Sequence, residues 1–262
     1  MARPRAVRRF EGMPPPDAPG VPPELRAEYR RAVGVQIKAL AGCADRLDHH
    51  PSDRDALETF RREVHKVRGS AGSYGFPKAS DLAAGMEETA KDWIVHADEP
   101  RMDRGAMARW FVTRLSQFIE PELGTQAAPA RPAPPVATTP EVICVEDDDS
   151  LAELLAYGLQ SRGYRYATFR NGADALDALL TLDTQSQRPL VLLDVDLPGL
   201  DGFSLFERLE QERPGAYRVV FTSVHSQEDE QMRALEAGAL DYLVKPISLR
   251  VILEKIRRWT GR

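Results

Sequence analysis

Hydropathy along the chain changes its period once, near residue 140. Between residues 23 and 120 the apolar positions follow helical spacing, with no β-branched run or hairpin signal among them. This pattern predicts helices over 23–48, 53–74, 77–97 and 103–120, broken at Pro51-Ser52-Asp53, Gly75-Phe76-Pro77 and Asp98-Glu99-Pro100. Asp53 and Asp103 stand where N-caps or first-turn acids belong. Such short connections make successive helices antiparallel, so the expected architecture is an all-α, up-down four-helix bundle.

After residue 140 short continuous apolar runs alternate with amphipathic segments. Val142–Val145, Leu190–Leu193, Val219–Phe221 and Tyr242–Val244 predict strands, with a weaker one at Tyr164–Phe169. Helices are predicted at 150–161, 172–183, 201–212, 227–237 and 248–259. Apolar strands alternating with helices argue for a parallel sheet covered on both faces. Five β/α units in about 120 residues fit a doubly wound α/β fold, (βα)5, with its site at the carboxyl ends of the strands.

Two proline-rich stretches frame these regions. Residues 13–23 close a basic tail, and residues 125–140 carry five prolines without helical or alternating pattern. The second predicts a semi-extended linker reaching up to about 50 Å. The expected division is a tail at 1–22, a helical domain at 23–124, a linker at 125–140 and an α/β domain at 141–262.

Composition narrows the chemistry. Hydrophobic residues make up 42% and charged residues 29%, as in ordinary globular proteins. Residues 1–140 hold 21 Lys+Arg against 19 Asp+Glu, whereas 141–262 hold 14 against 21. A near-neutral module followed by an acidic one argues against nucleic acid as a partner and suits a site that collects a divalent cation. Cys43 and Cys144 lie in apolar surroundings and read as core residues rather than disulfide partners or ligands. No apolar run approaches the roughly 20 residues of a membrane span, and no apolar stretch follows the basic N-terminus to make a secretory signal. No membrane partner and a cytoplasmic location are expected.

The end of nearly every predicted strand carries a chemically distinctive residue. Glu146 and Asp147 follow the first, Asp194 ends the third, Thr222 the fourth, and Lys245 the fifth. Parallel strands would bring them to one sheet edge, where converging carboxylates repel one another. A hard cation such as Mg²⁺ relieves that repulsion, and a lysine beside a threonine hydroxyl supplies donors to an incoming phosphoryl group. Asp148 and Asp149, just before a helix, read instead as capping acids.

In the helical domain, Phe60, Val64, Val67 and Ala71 form one apolar stripe, and His65 lies about 100° off it. Arg68, Gly69 and Gly72 share His65's side of the helix. Interior glycines cost about 1 kcal/mol each relative to alanine, so two beside one histidine suggest a surface flattened for a partner. Arg68, with Lys66, would neutralise a phosphoryl group on the ring. His49, His50, His96 and His225 have no catalytic or metal-ligand spacing and read as surface residues.

On these motifs residues 141–262 resemble a response-regulator receiver domain, and residues 24–123, chiefly His65 through Gly75, resemble a histidine phosphotransfer (HPt) domain. The receiver resemblance implies a flavodoxin-like fold, Asp194 as phosphoacceptor, and an Mg²⁺ site made by Glu146, Asp147, Asp194 and the Asp196 backbone carbonyl. It further implies Thr222 and Lys245 as phosphoryl ligands, Tyr242 as the aromatic that swings inward on activation, and a cis Lys245–Pro246 bond. Asp196 departs from the neutral residue common at its position, while Val67 and Arg68 replace the usual Leu and Lys of the HPt motif. The implied function is a two-component phosphorelay through His65 and Asp194 that switches the 227–259 surface. Sensor histidine kinases or other receiver and HPt proteins are the implied partners, and the receiver surface could form a homodimer. No glycine-rich ATP segment accompanies these modules, so a non-kinase phosphoacceptor is expected. Two alternatives stand beside it: the regulatory front end of a longer response regulator, such as a cyclic-dinucleotide synthase, and a non-phosphorylated docking or dimerisation module.

Overall fold

The computed structural model describes residues 21–99, 103–120, 139–185 and 187–262. The expected tail, up to residue 20, and the expected linker, up to residue 138, lie outside the described residues. The helical region forms α1 (Pro23–His49), α2 (Arg54–Ala71), α3 (Pro77–Val95) and α4 (Arg104–Ile119). Asp53 and Asp103 are N-caps, accepting from the backbone N–H groups of Ala56 and Ala106 at 3.0 and 2.8 Å. The segment expected to be helical through 74 leaves α geometry at Ala71 and closes as a 3-10 turn over Gly72–Tyr74. Gly75 ends it at φ 83°, a left-handed cap that glycine adopts at little steric cost.

The stripe of α2 faces inward as its spacing requires: Phe60, Val64, Val67 and Ala71 are all buried. Phe60 stacks on Trp93 of α3 at 5.9 Å and meets Phe111 of α4 edge-on at 5.8 Å. Arg104 is buried at the end of the bundle and satisfied there, donating to the carbonyls of Pro51, Ala97 and His96. One guanidinium thus ties the α1–α2 connection to the α3–α4 connection.

The second region alternates β1 (Val142–Val145), α5 (Asp149–Ser161), β2 (Tyr166–Phe169), α6 (Gly172–Thr181), β3 (Leu190–Asp194), α7 (Gly202–Glu212), β4 (Arg218–Ser223), α8 (Glu228–Glu236), β5 (Asp241–Val244) and α9 (Leu249–Thr260). All pairings are parallel, in the order β2-β1-β3-β4-β5. Strands β1 and β3 are buried along their whole length, as expected for a sheet with helices on both faces. Among the described residues no helix is long and apolar enough to cross a membrane.

The two regions share one continuous apolar core. It runs from Val33, Phe60 and Met86 of the bundle into Leu154, Leu159, Leu249 and Leu253 of α5 and α9. The contact is made mainly by α3. A Cβ on Gly85 would lie 2.9 Å from Leu154 Cδ2, so this glycine lets the helices approach closely.

Gly202 makes the tightest approach to the sheet edge. A Cβ there would lie 2.2 Å from the Asp194 carbonyl oxygen. Gly202→Ala is therefore expected to destabilise the second domain by about 1–3 kcal/mol, the usual cost of overpacking, read as a lowered urea midpoint. An unchanged midpoint would show that this loop yields freely.

Candidate functional site

The sheet gathers its chemistry along one edge. Strand β1 runs into Glu146 and Asp147, β3 ends in Asp194, β4 sets Thr222 in register beside Asp194, and β5 leads to Lys245. Lys245 Nζ lies 2.7 Å from Asp194 Oδ2 and 2.8 Å from each oxygen of Glu146. Glu146, Asp194 and Thr222 are buried, whereas Asp147 is exposed at the mouth. Oxygens of Glu146, Asp147 and Asp194 lie within 4.8 Å of one another. The Lys245–Pro246 bond is cis.

One ammonium cannot fully compensate so much buried negative charge. The Glu146 carboxyl carries the excess. Burial and the neighbouring Asp194 push its pKa up to about 8, against the pull of Lys245. Partial desolvation, then Asp194, raises Asp147 as well. Burial by itself would lower the Lys245 pKa, but the combined charges of Glu146 and Asp194 outweigh it and the net shift is upward. This excess of carboxylate oxygens is the donor chemistry a hard divalent cation prefers, so the residues present fit such an ion.

The other expected site residues are placed as follows. Asp196 projects to solvent, its backbone N–H 3.2 Å from Asp194 Oδ1 and its carboxylate 3.3 Å from His225 Nε2. Tyr242 is already turned inward: it is 7% exposed, and its hydroxyl donates to the His225 carbonyl at 3.2 Å. Asp148 is a helix cap, accepting from the N–H groups of Ser150 and Leu151. Asp149 is more than that, since it pairs with Lys78 of α3 at 2.7 Å. Cys144 is buried in β1, and that burial pushes its thiol up to about 12.

On α2 the His65 side chain is 66% exposed. Its Nδ1 sits 3.0 Å from Glu87 Oε1, and the second Glu87 oxygen accepts from Arg68 at 2.9 Å. Glu87 is 2% exposed. Burial favours its protonated form, but the hydrogen bonds from Arg68 and His65, with Lys91 nearby, outweigh that and lower its pKa. A carboxylate facing a ring nitrogen accepts, so Nδ1 carries a proton toward Glu87. Lys66 is turned away toward Glu63, at 2.8 Å. A Cβ on Gly69 would meet nothing within 4 Å, so packing inside the chain does not require glycine there.

Sequence reasoning missed Glu87. Nothing in the sequence sets Glu87 apart from its neighbour Glu88, and its partner lies 22 residues away on another helix. It also misread His96, which is not a free surface residue. Its ring lies 3.0 Å from the Arg250 guanidinium, across the contact between the two regions.

Residues 24–120 match the Hpt domain family, and residues 142–257 match the response regulator receiver domain family. The chain therefore carries an Hpt domain followed by a receiver domain, both of them phosphotransfer modules.

Over 288 aligned positions the chain is 32% identical to sensor protein GacS of Pseudomonas syringae pv. syringae, covering 91% of this chain and 31% of that protein. It is 36% identical over 119 residues to transcriptional regulatory protein AfsQ1 of Streptomyces coelicolor, covering 45% of this chain and 50% of that protein. The non-phosphorylated HemR receiver domain of Leptospira biflexa is 27% identical, covering 47% of this chain and 95% of that one, with a TM-score of 0.42. The chain thus spans half or less of the length of these two curated relatives.

The Glu87 carboxylate is expected to fix the His65 tautomer. In ¹⁵N spectra at neutral pH the wild-type ring should carry its proton on Nδ1. Glu87→Ala should move the population toward the Nε2–H form that free imidazole side chains favour. Identical ring shifts in the two proteins would remove Glu87 from this role.

Proposed function

We propose that this protein relays phosphoryl groups between histidine and aspartate, with His65 as the carrier of the helical domain and Asp194 as the acceptor of the receiver. The observation that carries this reading is the Lys245 ammonium held 2.7 Å from Asp194 and 2.8 Å from Glu146 in a buried nook whose mouth is Asp147. Its partners would be sensor histidine kinases or other receiver and Hpt proteins of the cytoplasm. The receiver would pair, if it dimerises, through the exposed Met232, Leu235 and Val251 of α8 and α9.

The reaction asks for positioning and charge neutralisation more than covalent chemistry. An Asp194 carboxylate oxygen forms the new O–P bond as the N–P bond to a donor imidazole breaks. The electron pair of that bond returns to the ring nitrogen. In His65 the phosphoryl group would sit on Nε2, while Glu87 holds the Nδ1 proton. The ring therefore leaves as neutral imidazole and no proton has to move. Arg68, anchored on the same carboxylate, keeps a guanidinium on that side of the helix.

At the acceptor, Lys245 would shift its contact from the carboxylate to the new phosphoryl oxygens, and Thr222, in register with Asp194, would donate its hydroxyl to one of them. Glu146, Asp147, Asp194 and the Asp196 backbone carbonyl are the groups that would hold Mg²⁺, which neutralises charge on the transferring oxygens when bound. Because Tyr242 already lies inward against the β4–α8 loop, loss of its hydroxyl contact to His225 and displacement of α8 are the movable parts of the switch.

A small phosphodonor with Mg²⁺ should label Asp194 in wild type and in His65→Gln, giving a phosphate stable to acid and lost in base. Asp194→Ala should lose that label entirely, and acid-labile label should then appear only on His65. Acid-stable label persisting in Asp194→Ala would sink the assignment.

Glu146 also gives the cation site a pH signature. Its pKa is pushed up to about 8 by burial, so below that value a proton competes with the metal, and binding the metal expels the proton. Apparent Mg²⁺ affinity should therefore rise between pH 6 and 8, by up to about tenfold per unit for one proton. Titration calorimetry of Glu146→Gln should show weaker binding with a flattened pH slope. A wild-type affinity independent of pH would contradict the assignment of Glu146.

A further inference from the structure

The contact between the two domains falls on the loops that build the phosphoacceptor pocket. One is the turn from β1 into α5, which supplies Glu146 and Asp147 and then Asp149 and Ser150. Asp149 pairs with Lys78 at 2.7 Å, and the Ser150 hydroxyl donates to the Lys78 carbonyl at 3.0 Å. The other is the turn from β5 into α9, which supplies Lys245 and then Leu249 and Arg250. The Leu249 N–H donates to the buried Thr89 hydroxyl at 3.2 Å. Arg250 pairs with Asp92 and lies against His96. Around these polar contacts Gly85 packs under Leu154, and Trp110 stacks on Tyr157 with ring centroids 5.2 Å apart. Helix α3 is seated firmly.

Seated there, it also walls the pocket. The cleft that opens onto Glu146, Asp147, Asp194 and Lys245 is lined on its far side by Pro77, Lys78 and Asp81, all from the helical domain. A second cleft brings Arg68 and Asp81 opposite Lys245, Pro246 and Ile247. His65 lines neither cleft. The imidazole that would carry phosphate is thus turned to solvent, while the carboxylate that would accept it lies behind a wall built by the first domain.

We infer that the helical domain is a cis gate on its own receiver. Docked through α3, it keeps a protein-borne phosphohistidine away from Asp194, while leaving the pocket open to small phosphodonors and His65 open to partners. Transfer from any phosphohistidine, the chain's own His65 included, waits for α3 to leave its seat on α5 and α9. The gate rests on the relay reading proposed above. Because seat and pocket share two loops, docking and pocket occupancy are also linked reciprocally: whatever moves Lys245 toward a phosphoryl group pulls on the segment that holds Thr89 and Asp92.

The test uses full-length chains. The acceptor carries His65→Gln, so that only Asp194 takes label. The protein donor is the Asp194→Ala chain loaded on His65 with phosphoramidate, and the small donor is acetyl phosphate. Arg250→Glu in the acceptor sets two acids against each other at the seat and should open it. The double variant Arg250→Glu/Asp92→Arg restores opposite charges. Opening is read from small-angle scattering and from Trp110 fluorescence as the ring leaves Tyr157.

Arg250→Glu should speed transfer from the protein donor by about tenfold, with the acetyl phosphate rate within about twofold, and the double variant should return the protein rate to its starting value. If Arg250→Glu stays closed, Gly85→Trp, which drives a ring into Leu154, serves as the opening variant and carries the same expectation. An opened acceptor whose protein-donor rate is unchanged overturns the gate. So does an opened acceptor in which both donors speed up equally, because the seat would then act on the pocket's chemistry and not on access. Absence of acetyl phosphate label on Asp194 in every chain would instead reject the relay reading itself.

Discussion

The receiver half of this molecule is organised around one buried ammonium. Lys245 lies between Glu146 and Asp194, and without it two buried carboxylates would face each other at the floor of the cleft. Charges taken out of water are tolerated only when paired and hydrogen-bonded. The pairing here is deliberately incomplete, because one cation serves two buried acids and a third acid waits at the mouth. The Glu146 carboxyl, pushed up to about 8 by its burial, records that imbalance. A pocket with surplus carboxylate oxygens has the donor chemistry that a hard divalent cation prefers.

The helical half solves the opposite problem. An imidazole on an exposed helix face has two equivalent-looking nitrogens and no fixed orientation. The chain buries an acid on the next helix and lets it reach out: Glu87 takes Nδ1 with one oxygen and Arg68 with the other. The acid remains charged despite its burial because both partners donate to it. A single carboxylate thereby holds the ring by Nδ1 and fixes the position of a nearby guanidinium. In one domain a buried ammonium supports carboxylates; in the other a buried carboxylate supports an exposed ring.

Most of the fold was legible because its signals are periodic. The stripe Phe60, Val64, Val67, Ala71 could be nothing but an inward face once α2 was helical, and it is buried in full. The apolar runs of β1, β3, β4 and β5 stand within a residue or two of their expected places, since a strand covered on both faces must be apolar throughout. Strand β2 was the hardest to delimit: it starts at Tyr166 rather than Tyr164, and its residues are only partly buried, as befits an edge. The pocket residues could be read because parallel topology fixes where strand ends go. Glu87, Lys78 and His96 could not, since their roles depend on which helix faces packed together. No local spacing encodes that a residue of α3 will meet a histidine of α2 or an arginine of α9.

Those unreadable contacts are also the ones that join the two halves. A linker rich in proline suggests two modules free to wander, yet the hydrophobic core passes from one to the other without interruption. The apolar area buried where Leu154 and Leu249 meet α3 would be exposed if the domains parted, and apolar burial is the main force holding such faces together. Of the polar contacts, Lys78 with Asp149 is exposed and individually weak, whereas Arg250 with Asp92 is largely buried, so that breaking it leaves a charge stranded in the interface. Together they set the register of α3, and the buried pair also helps to hold it. That register places Lys78 and Asp81 at the edge of the cleft that opens onto Asp194. Packed interfaces shift between discrete arrangements rather than deforming continuously. A seat built from the pocket's own loops is where charge arriving at Asp194 would be felt first.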